Sequence, residues 1–223
     1  MQSCRIHVMG ASGAGVTSLG RALASALAVP HHDTDDYFWL PTDPPFRHIR
    51  DVAERLKLMQ DIFLPRTAWV LSGSLNGWGD VLIPNFDVVV FLATSREIRL
   101  QRLRAREATL FGTEAVAPGG WRHTETEEFI EWASGYEEGN VSRTQAKHQD
   151  WLAKLPCPCC GWMDRGRCPN WSRKFVERSA ARATARRDWC LLAAHFCGRR
   201  TLRSARRSWS KPGAALRVLK PSA

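Results

Sequence analysis

A glycine-rich segment near the N-terminus has the composition of a phosphate-binding loop. Its glycines lie at positions 10, 13 and 15, and Thr17 follows them. A phosphate chain is bound by a concave run of backbone N–H groups, and glycine lets the backbone fold tightly enough and approach closely enough to form one. The Thr17 hydroxyl stands where such loops hold Mg²⁺. We therefore expect nucleotide phosphates at Gly10, Ala11, Ser12, Gly13, Ala14, Gly15, Val16, Thr17 and Ser18.

The loop departs from the usual pattern at one position. In the pattern G-x-x-x-x-G-K-[ST], the place of the lysine is taken by Val16. Losing a stabiliser of transition-state charge typically lowers the rate roughly a hundredfold or more. Two interpretations follow: another cation, such as an arginine of a lid, replaces the lysine, or the protein binds nucleotide without rapid turnover. A glycine turn without a ligand is the structural alternative, which Thr17 and the amphipathic helix after it argue against.

An acidic segment follows at the place where a second strand should end. Asp33 and Asp35 alternate there, at the carboxyl edge of the expected sheet, where open α/β sheets bind ligands. Carboxylates in this position can hold Mg²⁺ or accept the proton of an attacking hydroxyl. Asp33 and Asp35 are therefore catalytic candidates, and Thr17 and Asp35 are candidate Mg²⁺ ligands. A solvated acidic turn is the alternative, and the adjacent His31 and His32 lack the spacing of a metal site.

Arginines recur at helical spacing farther along the chain. Arg99, Arg102 and Arg106 lie at i, i+3 and i+7, which places them on one face of a helix. Such a row is usually a solvated face, but guanidinium groups also suit bidentate contacts to phosphate. We take Arg102 and Arg106 as catalytic candidates, and residues 111–120, rich in glycine, as the mobile part of a lid.

Alternating strands and helices must position these residues. Apolar patterns predict strands at residues 5–9, 68–71 and 87–92, and helices at residues 17–28 and 51–63. A hydroxyl residue followed three positions later by Glu or Gln predicts further helix starts at Thr94, Thr124 and Ser142. Continuous apolar strands are typical of a parallel sheet covered on both faces. The alternation up to about residue 155 therefore predicts an α/β layered fold.

Residues 1–156 resemble the adenylate kinase and shikimate kinase group of P-loop small-molecule kinases. The resemblance rests on the loop at 10–17, on Asp33-Thr34-Asp35, on Ser72-Gly73-Ser74, and on the arginine-rich run at 99–107. It implies a three-layer P-loop kinase fold with a five-stranded parallel sheet, ATP with Mg²⁺ as cofactor, and an acceptor held between core and lid.

The same resemblance places Asp33 and Asp35 on the acceptor side. Because Ser72 and Ser74 stand where shikimate kinases have glycines, it leaves the acceptor open. We expect an ATP-binding phosphotransferase, an adenylate kinase-like transferase acting on a small molecule or nucleotide. The alternatives are a nucleotide-binding protein without useful turnover and nucleic-acid binding through the C-terminal segment.

Charge divides the chain into two regions. Residues 1–156 hold 16 Lys and Arg against 19 Asp and Glu, whereas residues 157–223 hold 16 against 3. The overall net charge of +10 therefore comes from the C-terminal segment. No apolar run approaches the roughly eighteen residues of a membrane span, and no secretory pattern precedes the loop. We expect a cytoplasmic monomer that does not contact membranes.

The basic segment at 157–223 has no sustained period and admits three interpretations. Its cysteines could bind zinc; they are Cys157, Cys159, Cys160, Cys168, Cys190 and Cys197. Its tryptophans and cations could bind RNA by stacking and phosphate contacts. We favour the third, an irregular tail that is disordered or read out of frame, because Cys157 to Asp164 lacks the β-branched run expected of a last strand.

Overall fold

Five parallel strands form the centre of the protein. The computed structural model describes residues 4–157 and 159–163, the last five by their backbone. Within these ranges the strands are β1 Cys4–Gly10, β2 His31–Asp33, β3 Ala68–Ser72, β4 Val88–Ala93 and β5 Cys159–Met163. Their order in the sheet is β2-β3-β1-β4-β5, and each neighbouring pair is parallel.

Seven α-helices and one 3₁₀ helix connect the described strands. They are α1 Val16–Leu27, α2 Thr34–Phe38, α3 Val52–Ile62, the 3₁₀ helix Asp80–Asn85, α4 Arg96–Phe111, α5 Thr113–Val116, α6 His123–Ser134 and α7 Gln145–Ala153. The loop at residues 10–17 therefore joins β1 to α1, as the sequence predicts. Among the described residues, no helix is long and apolar enough to cross a membrane.

The sheet is covered on both faces, which the burial of its central strands shows. Successive residues of a strand point to opposite faces. Met9, Trp69 and Phe91 belong to a core with residues of α3 and α7, among them Met59 and Trp151. The alternate residues Val8, Val70 and Val90 are buried as well, and α1 packs against β1 and β3. The predicted three-layer α/β fold with a parallel sheet is confirmed.

The fifth strand corrects the interpretation of the segment after residue 156. β5 pairs with β4 from Val89 opposite Cys159 to Ala93 opposite Met163, although its sequence has no β-branched run. An edge strand is held by backbone hydrogen bonds to its neighbour, and side-chain preference counts for less there. The sheet therefore extends beyond the predicted boundary at 156. The zinc, RNA and reading-frame hypotheses otherwise concern residues outside the described ranges and stay predictions.

Helix starts differ from the predicted capping pattern by one or two residues. The residues preceding α4, α6 and α7 are Ser95, Arg122 and Thr144. Of these three helices only α7 has a side-chain cap, in which the Thr144 hydroxyl accepts a hydrogen bond from the N–H of Lys147. Thr94 instead donates its hydroxyl to the carbonyl of Ala14, 3.1 Å away. A hydroxyl in the right sequence pattern thus serves a tertiary contact.

Candidate functional site

The glycine loop is packed tightly between β4 and α4. A Cβ atom on Gly10 would collide with the carbonyl oxygen of Leu92, and one on Gly13 would lie 2.5 Å from the carbonyl oxygen of Arg99. Gly13 and Gly15 also have positive φ angles, of 79° and 98°. Glycine is therefore required at position 10 by close approach, and at position 13 by close approach and conformation together.

The loop ends at a helix N-terminus that no side chain caps. Gly15 precedes α1 in the left-handed conformation, makes no side-chain cap hydrogen bond, and is followed by a first turn without acidic residues. The N–H groups of such a turn have no intrahelical acceptors and favour an anion. Val16 stands in this turn and has its Cγ2 atom 3.2 Å from the place of a Cβ on Gly10. The position that usually carries a lysine is therefore packed against the loop.

A hydroxyl and a carboxylate meet beside this helix end. Thr17 donates its hydroxyl to Oδ2 of Asp33 over 2.7 Å, while Oδ1 of Asp33 accepts the N–H of Asp35 and caps α2. The structure thus brings Thr17 together with Asp33, whereas Asp35, the other predicted Mg²⁺ ligand, makes no bond to Thr17. Asp35 as a ligand stays a prediction.

The Thr17 and Asp33 oxygens fit a magnesium ion bound with a nucleotide. Mg²⁺ prefers hard oxygen ligands, and at phosphate sites it takes one or two protein groups together with phosphate oxygens and water. No group of three or more His, Cys, Asp and Glu side chains within the described ranges forms an all-protein metal cage. The donor set therefore suits Mg²⁺ shared with phosphates.

Asp35 lies two residues after Asp33, in the first turn of α2. The residue is exposed, and partial desolvation by the nearby protein, followed by the charge of Asp33, raises the pKa of its carboxyl. The charges of Arg143 and Arg106 act in the opposite direction on that pKa. A carboxylate with a raised pKa is better suited to accept a proton near neutral pH.

The three arginines of α4 do not share one role. Arg102 donates from Nη1 to the carbonyl oxygen of Ala14, 3.2 Å away, and so lies at the loop. Arg106 is half-exposed and approaches Glu107 at 3.4 Å. Arg99 is fully buried, and it bonds both carboxylate oxygens of Glu137 at 2.7 and 2.8 Å.

Arg99 therefore supports the loop and is not available to close over a nucleotide. Its Nη1 atom donates to the carbonyl oxygen of Ser12 at 3.1 Å and to that of Ala133 at 3.3 Å. The helical period places Arg99 on the same face as Arg102 and Arg106 but does not specify what packs against each of them.

Arg143 is a site residue that the sequence did not indicate. Its Nη1 atom lies 3.5 Å from the hydroxyl of Ser12, in the middle of the loop, and its guanidinium lies over the ring of Trp132. No periodic pattern surrounds it, and residues 135–144 link α6 to α7. Nothing in the sequence marks it, since it reaches the loop from 131 residues away.

The histidines and the serine turn belong to the scaffold. Nε2 of His31 and the hydroxyl of Ser72 are hydrogen-bonded at 2.9 Å, and His32 stacks on Phe63. A Cβ on Gly73, whose φ is +118°, would collide with the side chain of Thr34. The turn after β3 therefore needs its glycine to approach the acidic segment.

The predicted lid segment contains structure of its own. Residues 111–120 include α5, and Arg122 just beyond them lies over the ring of Phe111 at 4.3 Å. Arg47, from the segment between α2 and α3, pairs with Glu125 of α6 at 3.1 Å. This ion pair connects the segment between α2 and α3 to α6; a lid at residues 111–120 stays a prediction.

Comparison with known proteins identifies a sequence relative of this chain. No protein-family model matches the chain. YqaC of Bacillus subtilis (strain 168), an uncharacterized protein, is 44% identical over 154 residues, which are 69% of this chain and 84% of YqaC.

Similar solved structures include two small-molecule kinases. The structure of shikimate kinase from Bacteroides thetaiotaomicron matches this chain with a TM-score of 0.37 and 21% sequence identity. The match covers 71% of this chain and 85% of the shikimate kinase chain. The structure of a gluconokinase from Sinorhizobium meliloti 1021 matches this chain with a TM-score of 0.38 and 19% sequence identity. The match covers 64% of this chain and 80% of the gluconokinase chain.

Proposed function

We start from the fact that the chain belongs to the same family as YqaC of Bacillus subtilis, and we propose that this protein is an ATP-binding phosphotransferase acting on a small hydroxylated molecule or a nucleotide. One observation carries the proposal: the 2.7 Å hydrogen bond from Thr17 to Asp33 beside an uncapped, glycine-lined helix N-terminus. It joins the oxygen ligands of a magnesium ion to the donors of a phosphate site.

The loop and α1 would hold the nucleotide phosphates. The first-turn N–H groups of α1 and the backbone at Gly13 and Gly15 supply hydrogen-bond donors, and the helix dipole adds a favourable field. Thr17 and Asp33 would hold Mg²⁺, which supplies charge neutralisation at the phosphates when bound. Both groups are already hydrogen-bonded to each other, so their orientation is fixed before any ligand arrives.

Arg102 is the candidate replacement for the missing lysine on the loop. Its guanidinium contacts the carbonyl of Ala14, and a Cβ on Gly15 would lie 3.7 Å from its Nη1 atom. A cation at this distance from the loop backbone can stabilise charge that develops on a transferred phosphoryl group. Arg106, whose charge reaches Asp35, is the second cation of α4 that supports this function.

Asp35 is the candidate proton acceptor for the phosphoryl acceptor's hydroxyl. Its raised pKa, caused mainly by desolvation, favours proton uptake. Asp33 is occupied by Thr17 and by the N–H of Asp35 and so serves best as the orienting and metal-binding carboxylate. The two aspartates thereby take separate roles.

Binding without rapid turnover is the second candidate function, and Val16 favours it. A lysine restored at this position separates the two candidates: Val16→Lys should raise ADP formation if the other groups are competent. If Arg102 already supplies the charge, the variant should change turnover little, and Arg102→Ala should then lower it roughly a hundredfold. Arg104→Ala, which removes an exposed arginine of the same helix, is the control.

Calorimetric titration of the full-length protein with ATP and Mg²⁺ tests the nucleotide site. Gly15→Asp should abolish binding, because it places a carboxylate against the phosphates. Gly77→Asp is a matched control: Gly77 also has a positive φ, of 85°, and a Cβ there would meet no atom within 4 Å. Absence of ATP binding by the folded wild type, or unchanged affinity in Gly15→Asp, would refute the proposal.

A further inference from the structure

Two aromatic side chains near the acidic segment form a pair outside the core. Trp39 ends α2, and Phe46 lies in the segment that leads from α2 to α3. Their ring centroids are 5.9 Å apart, and the ring planes make an angle of 71°. Neither ring belongs to the core that contains Tyr37, and 41% of Phe46 is exposed to solvent. Two rings at this angle form a corner in which a third ring can pack against one face and one edge.

The backbone holds Phe46 in a conformation that its side chain disfavours. The φ angle of Phe46 is +66°, which lies in the left-handed region that bulky residues rarely adopt. Strain of this kind persists only where the surrounding structure imposes it, and it is concentrated at functional sites such as ligand clamps. Packing of the core does not require this ring, because the ring lies outside the core. The strain therefore indicates a function for an exposed aromatic ring at this position.

Backbone hydrogen bonds fix the segment that carries Phe46. The N–H of Leu40 donates to the carbonyl oxygen of His48 over 2.8 Å, and the N–H of Arg50 donates to the carbonyl oxygen of Phe38 over the same distance. These bonds join the two ends of the segment to each other and to the last turn of α2. The two rings are therefore arranged before a ligand arrives, which lowers the entropy lost on binding.

Trp39 lies one helical turn from the candidate proton acceptor. Its N–H donates to the carbonyl oxygen of Asp35 over 3.2 Å. Residues four positions apart lie on the same side of a helix, with their Cβ atoms about 5–6 Å apart. A molecule whose ring packs on Trp39 can therefore bring a hydroxyl group, a few bonds from that ring, to the carboxylate of Asp35.

The size of the pair indicates a small molecule as its occupant. Two aromatic side chains bury at most roughly 150–250 Å² each, whereas a stable protein interface buries at least about 1,000 Å² in total. The corner between Trp39 and Phe46 therefore matches a single planar ring better than it matches the surface of a protein.

We propose that the phosphoryl acceptor carries a planar unsaturated ring, which packs between Trp39 and Phe46 and places the acceptor's hydroxyl at Asp35; this inference rests on the proposed phosphotransferase function. The acceptor is then a ring-bearing alcohol, of the kind that nucleosides and hydroxymethylpyridines represent, and not an open-chain sugar acid. Trp39 and Phe46 determine this specificity by stacking and edge contacts.

Calorimetric titration with two sets of alcohols tests the specificity. The full-length protein is first saturated with ADP and Mg²⁺, so that a nucleoside cannot bind in place of the nucleotide. The first set has planar rings and consists of adenosine, guanosine, cytidine, uridine, thymidine and 3-hydroxymethylpyridine; the second lacks aromatic rings and consists of ribose, gluconate and shikimate. At least one member of the first set should bind roughly tenfold or more tightly than every member of the second, because stacking on an aromatic side chain adds affinity of that size.

Substitutions of the pair separate ligand binding from structural support. Trp39→Ala should weaken binding of the ring-bearing alcohol roughly tenfold or more, and Trp39→Phe should keep most of the affinity because it retains a ring. Phe46→Asn should weaken binding and keep the wild-type urea midpoint, because asparagine tolerates the left-handed conformation. Trp121→Ala is the control: Trp121 is 59% exposed, has Phe111 as its own ring partner at 6.0 Å, and should be dispensable for binding and for ADP affinity.

Three results would overturn the inference and leave the proposed function standing, provided that the protein binds ADP with Mg²⁺. They are the binding of no ring-bearing alcohol of the first set, equal affinities for the two sets, and an affinity for the ring-bearing alcohol that Trp39→Ala leaves unchanged. Failure of folded wild type to bind ADP or ATP with Mg²⁺ would instead refute the proposed function itself.

Discussion

Alanine at Gly13 and at Gly15 should destabilise the protein by clearly different amounts. Both positions have positive φ angles, of 79° and 98°, so each alanine would incur strain of about 1–2 kcal/mol. Their surroundings differ. A Cβ at Gly13 would lie 2.5 Å from the backbone oxygen of Arg99, whereas at Gly15 the nearest atoms are 3.7 and 3.8 Å away, which is ordinary contact.

Gly13→Ala must therefore also push α4 away from the loop. Overpacking of this kind typically costs a further 1–3 kcal/mol or so, and the backbone of a helix cannot rotate aside as a side chain can. We expect about 1–2 kcal/mol for Gly15→Ala and about 2–5 kcal/mol for Gly13→Ala.

Urea unfolding of the two variants and wild type measures this difference. With a slope of about 2 kcal/mol per molar urea, a difference of 2 kcal/mol moves the unfolding midpoint by about 1 M. Equal midpoints for the two variants, or a lower one for Gly15→Ala, would show that Gly13 and α4 are not in contact as described and would refute the reasoning.

Two further predictions concern the support of the loop and the pH dependence of stability. Arg99→Met should lower the free energy of unfolding by about 2 kcal/mol, because it removes a buried guanidinium that bonds the partly exposed Glu137 and the carbonyl oxygen of Ser12. Arg104→Met, at an exposed pair, should cost less than about 1 kcal/mol, and similar urea midpoints for both variants would contradict the burial of Arg99. Burial lowers the pKa of His7 to about 4 and that of His148 to about 3, so the unfolded chain binds more protons below its histidine pKa of about 6.5. The free energy of unfolding should therefore fall as the pH falls from 6.5 towards 4, by up to about 1.4 kcal/mol per pH unit for each histidine. In His7→Phe, the free energy of unfolding, measured by urea titration at several pH values, should fall less steeply as the pH falls. If it falls as steeply as in wild type, His7 is not a source of the pH dependence.

Local patterns in the sequence carry much of the fold. The glycines, the apolar strands and the helical period of α1 and α4 depend on interactions within a few residues, and the structure has β1, α1, β3 and β4 within one or two residues of the predicted bounds. The positive φ angles at Gly13 and Gly15 follow from the same local logic, since few other residues adopt them.

Contacts between distant segments lie beyond such patterns. The helical period places Arg99, Arg102 and Arg106 on one face of α4. It does not specify that Glu137 packs against Arg99 or that the glycine loop packs against Arg102. The strand at Cys159–Met163 has little β-propensity of its own and is formed against the open edge of β4.

The sequence by itself determined the glycine loop between β1 and α1 and the layered fold, because these depend on backbone conformation and on short-range apolar periods. Only the tertiary structure decided which groups meet there: Thr17 with Asp33, and Arg143 with Ser12 across 131 residues. The physical reason is that a side chain's partner is set by how whole elements pack, which depends on the summed burial of the core and not on the residues beside it in the chain.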